Sequence, residues 1–333
     1  MIATPAIRIT RSAEPMIRSL RHFGVGLLTV TCLLTAATAE AAEQKSPFRF
    51  RVSAAGGYDN NSGLNPQRKG DGFAQETVGV TYRRLLNKKT EWRLSYDVAN
   101  VNYFEATDQD ILAHNVTTGL NFLLTPQTIL ENQYTFGYLD FPYNSSVNSY
   151  SNEVRVGLKQ KIGRRWLLKT GLAALQRDYT EKRARYVGLT LDEDYRSDDR
   201  ISVDASAVFQ WRKDLSFNAG FTYLQNDSND LFHDHYDYKA PKFQIGTTWK
   251  IDPKWTASLR HTYERRTYDE RPISGSPETV QKDHQYTTNL AVFYKLSKDL
   301  TLGSNVTYKQ KNSNEPTQKY SNTTGTLGLY YSF

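Results

Sequence analysis

The stretch that decides the fold is Lys319–Phe333, KYSNTTGTLGLYYSF, at the end of the chain. Large apolar or aromatic side chains occupy every second position near its end, and small or polar side chains lie between them. The apolar set is Leu327, Leu329, Tyr331 and Phe333. Because the side chains of a β-strand point alternately to its two faces, this strand has one face against apolar surroundings and one against water or polar groups.

This strand resembles the closing strand of Gram-negative outer-membrane β-barrels, whose C-terminal assembly signal reads polar-x-Gly-x-x-apolar-x-aromatic. Thr326, Gly328, Tyr331 and Phe333 fill the specified places. The resemblance implies export to the periplasm, recognition by the barrel-assembly machinery and insertion into the outer membrane. The alternative is a soluble β-protein that ends in phenylalanine.

The composition fits a membrane barrel better than a helical membrane protein. The 333 residues include 22 tyrosines, aromatic residues make up 13%, and the mean hydropathy is −0.63. Beyond the N-terminus no run approaches the ~18 apolar residues that a spanning helix needs. In a membrane barrel only every second residue meets lipid, which keeps the average polar. The net charge of +7 is spread along the chain without a basic block, so we expect no nucleic-acid partner.

The N-terminus predicts a secretory signal peptide over residues 1–39, with initiation at either Met1 or Met16. Arg18 and Arg21 precede an apolar segment, and small residues that suit signal peptidase follow it. The single cysteine, Cys32, lies in this segment, so the mature chain is expected to have no thiol chemistry. Residues 40–46 are predicted to form a short periplasmic segment, and residues 47–333 the barrel.

The barrel region contains about fourteen stretches with strand-like alternation, within a range of 12–16. Short turns connect them at one end and longer polar loops at the other. The longer loops are predicted near residues 59–72, 104–110, 141–149, 180–197, 226–238, 267–283 and 309–319. An even strand number places both chain ends on the short-turn, periplasmic side. The predicted fold is an all-β, transmembrane, antiparallel up-and-down barrel.

The tryptophans indicate where the membrane interface lies. All five are close to short turns and on the apolar face: Trp92, Trp166, Trp211, Trp249 and Trp255. This position is typical of the aromatic girdle of outer-membrane barrels. The alternative, packing in the core of a β-sandwich, would favour positions in the middle of strands. Outer-membrane lipid and lipopolysaccharide are therefore the expected surroundings.

The predicted inner face carries roughly twice as many basic as acidic residues. The predicted pore-lining set is Arg93, Asp97, Glu131, Arg155, Lys159, Arg177, Arg200, Asp204, Lys242 and Arg260. Charges inside a barrel require either water or ion pairs. One interpretation is a water-filled pore with a field that favours anions. The other is a lumen closed by ion pairs around Asp97, Glu131, Glu153 and Asp204.

Catalytic and metal sites receive little support from the sequence. His233, Asp234 and His235, with Asp237, lie in a predicted external loop and are the strongest candidates for a divalent metal. A solvated loop is the simpler interpretation. We predict no catalytic residue, no cofactor and no metal, and a surface enzyme remains a remote alternative.

A second resemblance concerns residues 54–61, AAGGYDNN. They are similar to the Gly-Tyr-Asp-x-Asn opening shared by families of β-barrel porins and by the barrel halves of surface-lipoprotein assembly and polysaccharide-export proteins. The first group implies a passive channel for small hydrophilic solutes, which is the main expectation. Anions among these solutes are one of the two interpretations of the basic inner face. The second implies a non-catalytic barrel component of an envelope export or assembly system. The oligomeric state is taken as monomeric by default.

Overall fold

The computed structural model describes residues 46–185 and 191–333. The predicted signal peptide and Cys32 lie outside the described residues. No helix in the described part of the chain has the length and hydropathy to span a membrane. The chain forms strands joined by turns, loops and three short 3-10 turns at Thr107–Gln109, Ser145–Val147 and Pro316–Gln318.

Fourteen strands follow one another along the described residues. They are β1 (Phe48–Asp59), β2 (Asp71–Asn87), β3 (Thr90–Tyr103), β4 (Ile111–Thr125), β5 (Thr128–Asp140), β6 (Ser149–Ile162), β7 (Trp166–Arg185), β8 (Leu191–Arg212), β9 (Leu215–Ser228), β10 (Tyr238–Lys250), β11 (Trp255–Ile273), β12 (Ser276–Lys295), β13 (Leu300–Ser313) and β14 (Tyr320–Ser332).

Each strand pairs antiparallel with the next one in sequence, and β14 pairs with β1 to close the barrel. The first and last strands meet where Phe50 N–H donates to the Phe333 carbonyl at 2.9 Å. Closure leaves no open sheet edge, so the backbone groups of every strand can be satisfied within the sheet. The predicted all-β, fourteen-stranded antiparallel barrel is confirmed.

The two faces of the sheet differ as the alternation predicts. In β10, Phe243, Ile245 and Trp249 are 51%, 61% and 45% exposed, whereas Gln244 and Lys242 point to the other face. Large apolar side chains this exposed all around a closed cylinder belong on a surface that meets hydrocarbon. The opposite, polar face encloses the lumen.

The two ends of the barrel have different connections. At the short-turn end, β2 and β3 are separated by two residues, and so are β4 and β5. At the other end, the long-loop end, the connections β1–β2 and β9–β10 span eleven and nine residues, 60–70 and 229–237. Both ends of the barrel region, at Phe48 and Phe333, lie on the short-turn side.

Two of the predicted long loops, near 180–197 and 267–283, are wrong in extent. β7 continues to Arg185 and β8 begins at Leu191, while β11 and β12 are joined by the tight turn Ser274-Gly275. Gly275 adopts φ +76°, a left-handed conformation that suits glycine in a tight hairpin. These hairpin ends are polar on both faces, so they lack the alternation that identifies a strand in the sequence.

Candidate functional site

The candidate site is the lumen, because all ten predicted pore-lining residues lie on the inner face. Cross-strand pairing places Asp97 beside Gly79 and Asn115, and Arg155 beside Gln133 and Ala173. The neighbouring positions on each strand carry the exposed apolar residues of the outer wall. Because the register aligns the inward residues of neighbouring strands, their polar side chains form one continuous surface.

Two ion pairs on this surface reach across an intervening strand. Arg51 on β1 donates to Asp97 on β3 at 2.6 Å, passing over Gly79 of β2. Arg155 on β6 pairs with Asp204 on β8, passing over Gly171 of β7. A Cβ at either glycine would collide with the pair that lies above it. The glycines therefore allow these pairs to lie flat against the wall.

The alternative prediction was a lumen closed by ion pairs around four carboxylates. Most of these ion pairs are present, but they do not cross the lumen. Three of the four carboxylates are paired: Asp97, Asp204, and Glu131, which Lys159 contacts at 2.5 Å from the adjacent strand. Glu153 has no ion pair within the described residues. All three pairs join strands that are neighbours or next neighbours, so they follow the wall and do not bridge the lumen.

The remaining predicted lining residues have different partners. Arg200 donates to Asn226 at 3.2 Å and to the Tyr238 hydroxyl at 3.1 Å. Lys242 lines a cavity of about 270 Å³ together with Arg155 and Asp204. Also on the inner face are Arg93, Arg177 and Arg260, which have no ion pair among the described side chains.

A dense cluster at the long-loop end was not predicted. The guanidinium of Arg196 lies 3.2 Å from the centre of the Tyr236 ring and 4.5 Å from that of Tyr179. It also donates to Asp198 through Nε at 2.8 Å, and both side chains are almost fully buried. Such cation–π and charge-assisted contacts are strong where water is excluded.

The β9–β10 loop, residues 229–237, is held to the β7–β8 hairpin beside this cluster. Arg185 donates to both oxygens of Asp230, at 2.9 and 3.0 Å, and Asp230 is fully buried. Leu231 N–H donates to the Arg185 carbonyl at 2.9 Å. Deeper in the lumen Arg266 stacks on Tyr238, with its guanidinium 4.2 Å from the ring centre. The long-loop end is therefore packed on this side of the barrel.

Two titratable groups in the β9–β10 loop are shifted in opposite directions. Burial, with the positive charges of Arg271 and Arg185, lowers the pKa of His235 from 6.5 to about 4. Burial also raises the pKa of Asp237 from 3.8 to about 6, although its carboxylate accepts a hydrogen bond from Ser228 N–H at 2.7 Å. Both shifts disfavour the charged form of the side chain in the folded loop.

The candidate metal residues do not gather around one point. His233 and Asp234 adopt left-handed backbone conformations, with φ +53° and +38°, at the turn of the loop. Among the side chains that the structure describes, no group of three or more His, Cys, Asp or Glu could hold a metal ion.

The predicted girdle residues lie on the outer face near the short turns. Trp166 packs on Phe209 with ring centres 4.6 Å apart, and Trp255 packs on Tyr294 at 4.7 Å. The other three are Trp92, Trp211 and Trp249. These contacts extend the aromatic band between strands. The role of the five residues as a membrane girdle stays a prediction.

The four predicted assembly-signal residues divide between the two faces of β14. Thr326 and Gly328 are on the inner face, and a Cβ at Gly328 would collide with β1. Tyr331 and Phe333 are on the outer face, where the Phe333 ring stacks on Phe50 at 5.2 Å. Their recognition by the assembly machinery stays a prediction.

The unpredicted cluster left one signal in the sequence. Arg, Tyr and Asp are concentrated in 177–185, 194–200 and 230–238, the segments that meet at the long-loop end. Their pairing depends on how two hairpins fold over each other, which alternation alone does not describe.

Comparison with known proteins agrees with a membrane barrel. The model of the surface lipoprotein assembly modifier family matches residues 196–333, which include most of β8 and all of β9–β14. No curated protein sequence matches the chain.

Solved outer-membrane barrels are similar to the chain in fold. OmpT, an outer-membrane protein of Vibrio cholerae, is 10% identical with a TM-score of 0.50, over 87% of this chain and 99% of that one. The outer-membrane channel DcaP of Acinetobacter baumannii is 11% identical with a TM-score of 0.50, over 86% of this chain and 96% of that one. At such identities the likeness establishes the shared barrel fold.

Proposed function

We propose that the chain is a non-catalytic outer-membrane channel that passes small hydrophilic solutes and prefers anions. The observation that carries the proposal is the exposure of charged side chains inside a closed cylinder. Arg51 and Asp97 are 44% and 42% exposed although both point into the lumen. Water therefore reaches the inner wall at the short-turn end.

Barrel size is consistent with a narrow pore. Barrels of about eight strands are filled by their own side chains, whereas sixteen to eighteen strands enclose a wide channel. Fourteen strands lie between these limits. The ion pairs Arg155–Asp204 and Lys159–Glu131 lie along the wall and do not cross the lumen, which supports a water-filled path. The packed cluster at the long-loop end narrows the path at that mouth.

The preference for anions follows from the cations that have no partner. Arg260 is exposed on the inner face and has no ion pair among the described residues. An unpaired cation in a confined, wet lumen raises the local concentration of anions and disfavours cations.

Single-channel recording in planar lipid bilayers tests this function. The wild-type protein is expected to give stable openings that favour chloride over potassium, and Arg260→Glu is expected to weaken or reverse that preference. Arg265→Glu is the matched control. Arg265 lies on the outer face of the same strand, so this substitution makes the same change of charge outside the lumen. An absence of openings, or equal effects of the two substitutions, would contradict the proposal.

The second candidate is a barrel component of surface-lipoprotein assembly. The match of residues 196–333 to the assembly-modifier family favours it. This role predicts that deletion of the gene removes lipoproteins from the cell surface, measured by protease accessibility on intact cells. Loss of surface lipoproteins together with a non-conducting barrel would support this candidate over the channel.

A further inference from the structure

The charges of the inner face are unevenly distributed along the barrel axis. We considered the two inward positions nearest the short-turn end of each strand, as the register defines them. Two acidic residues, Glu91 and Glu131, occupy such positions. The nine basic residues there form what we call the basic ring: Arg49, Arg51, Arg83, Arg93, Lys159, Lys161, Lys169, Lys250 and Lys295.

Most of the basic ring has no counter-charge. Arg51 and Lys159 are in ion pairs. The other seven make no ion pair with any described residue. Of the two acidic residues, Glu131 forms an ion pair with Lys159, and Glu91 accepts a hydrogen bond from Asn121 at 3.2 Å.

Two pairs within the ring place like charges directly opposite each other. Arg83 on β2 is the cross-strand partner of Arg93 on β3, and Lys159 on β6 is the partner of Lys169 on β7. Like charges in this position destabilise a sheet. In addition, Arg93 Nε is buried and has no hydrogen-bond partner among the described residues. Arg83 and Arg93 therefore repel each other, and neither has a counter-charge among the described residues.

We infer that the short-turn end of the lumen binds multivalent oxyanions, with Arg83 and Arg93 as the central pair. A ligand with several clustered negative oxygens can accept from both guanidinium groups at once, and arginine presents its donors in a fork that fits phosphate and carboxylate. Because these side chains point into the lumen, the phosphates of surrounding lipids do not face them. Phosphate esters and polycarboxylates share the required chemistry.

This inference deepens the proposed channel and rests on it only for the passage of the anion. Binding itself requires that water reaches the ring from the short-turn side, where Arg83, Lys250 and Lys295 are exposed.

Isothermal titration calorimetry of the detergent-solubilised protein tests the site, with inorganic tripolyphosphate as the first probe and citrate as the second. The wild type is expected to bind tripolyphosphate, with an affinity that falls as salt is raised. Arg83→Gln combined with Arg93→Gln is expected to lower the affinity about tenfold or more. The citrate titration distinguishes a phosphate site from one that accepts carboxylates as well.

The matched control is Arg164→Gln combined with Arg165→Gln, which removes the same charge from the exposed β6–β7 turn. This control is expected to change the affinity less than twofold. Lys169→Gln, with its like-charge partner Lys159 retained, is a second variant in case the double arginine variant does not fold. No binding by the wild type, or equal weakening by ring and control variants, would overturn the inference.

Channel recordings separate this inference from the proposed function. Binding without openings would reject the channel and retain the oxyanion site. Openings without binding would reject the site and retain the channel.

Discussion

The two ends of the lumen treat charge in opposite ways. At the long-loop end the central cation is buried and paired: the side chains of Arg196 and Asp198 are only 7% and 5% exposed. At the short-turn end the Arg51–Asp97 pair is more than 40% exposed, and most of the basic ring has no ion pair among the described residues. A buried charge needs a partner because burial removes its hydration, whereas a charge in water can remain unpaired at little cost. The long-loop end therefore satisfies the charge of Arg196 within the protein, whereas the short-turn end leaves most of the basic ring without an ion pair among the described residues.

The largest expected effect comes from breaking a buried pair at the long-loop end. Asp230→Asn leaves Arg185 without its counter-charge beside a fully buried amide. We expect the free energy needed to open the β9–β10 loop to fall by about 3 kcal/mol. Hydrogen exchange of peptides across residues 229–237 measures it, since Leu231 N–H is bonded to the Arg185 carbonyl.

Asp227→Asn is the control for that experiment, because Asp227 is exposed and lies three residues before Asp230. Its effect should stay within about 0.5 kcal/mol. If the amides of residues 229–237 kept wild-type protection from exchange in both variants, the Arg185–Asp230 pair would not hold the loop. The ion pairs of the long-loop end would then contribute as little to stability as exposed ones.

A second effect, of intermediate size, concerns pH. The lowered pKa of His235 means that its contribution to loop stability is present above pH 6.5 and is lost as the pH falls through about 4. The raised pKa of Asp237 acts in the opposite sense. Its contribution is present below pH 3.8 and is lost as the pH rises through about 6. Between pH 4 and 6 the two contributions partly cancel in the wild type.

Single substitutions should separate these contributions. Asp237→Asn is expected to make the loop increasingly unstable as the pH falls from 6.5 to 4, because only His235 remains. His235→Gln is expected to make it more stable over the same range. Hydrogen exchange of residues 229–237 at several pH values measures both. The same pH slope in the two variants would contradict the assignment.

The barrel itself could be predicted from the sequence because its signal is local. Each membrane-spanning strand has one face toward lipid and one toward water, so alternation appears within a single segment such as Phe243–Trp249. The hairpin ends beyond the membrane carry mostly polar side chains on both faces. Alternation disappears there, and 180–197 and 267–283 were therefore predicted as loops although much of each is strand.

The lumen was predicted as a set of residues but not as an arrangement. Alternation identified the inward side chains, including Arg93 and Arg155. The flat ion pairs over Gly79 and Gly171 require the register of three strands at once, which no single segment contains. The contact of Arg196 with Tyr236 joins two hairpins. The separation of charge between the two ends likewise emerges only when the strands are aligned.

The smallest expected effect has the opposite sign and lies at the short-turn end. Arg93→Gln removes the repulsion from Arg83 and a buried Nε that has no partner. We expect it to stabilise the protein by about 0.5 kcal/mol at low salt. The part of the gain that comes from the repulsion should vanish at about 1 M salt, where charges more than about 3 Å apart are screened. Urea unfolding of the refolded barrel, with Arg164→Gln as the control, measures it.

Whether Arg93→Gln raises or lowers the free energy of unfolding distinguishes two explanations of the difference between the two ends of the lumen. If loss of Arg93 destabilised the barrel, its guanidinium would serve the fold, and the two ends of the lumen would differ only in exposure. If loss of Arg93 stabilises the barrel but weakens tripolyphosphate binding, stability and binding favour different residues at one position. Such opposition is expected where a site is kept for a ligand at the expense of the fold. At the long-loop end, removal of one partner from a buried pair should have only the destabilising effect.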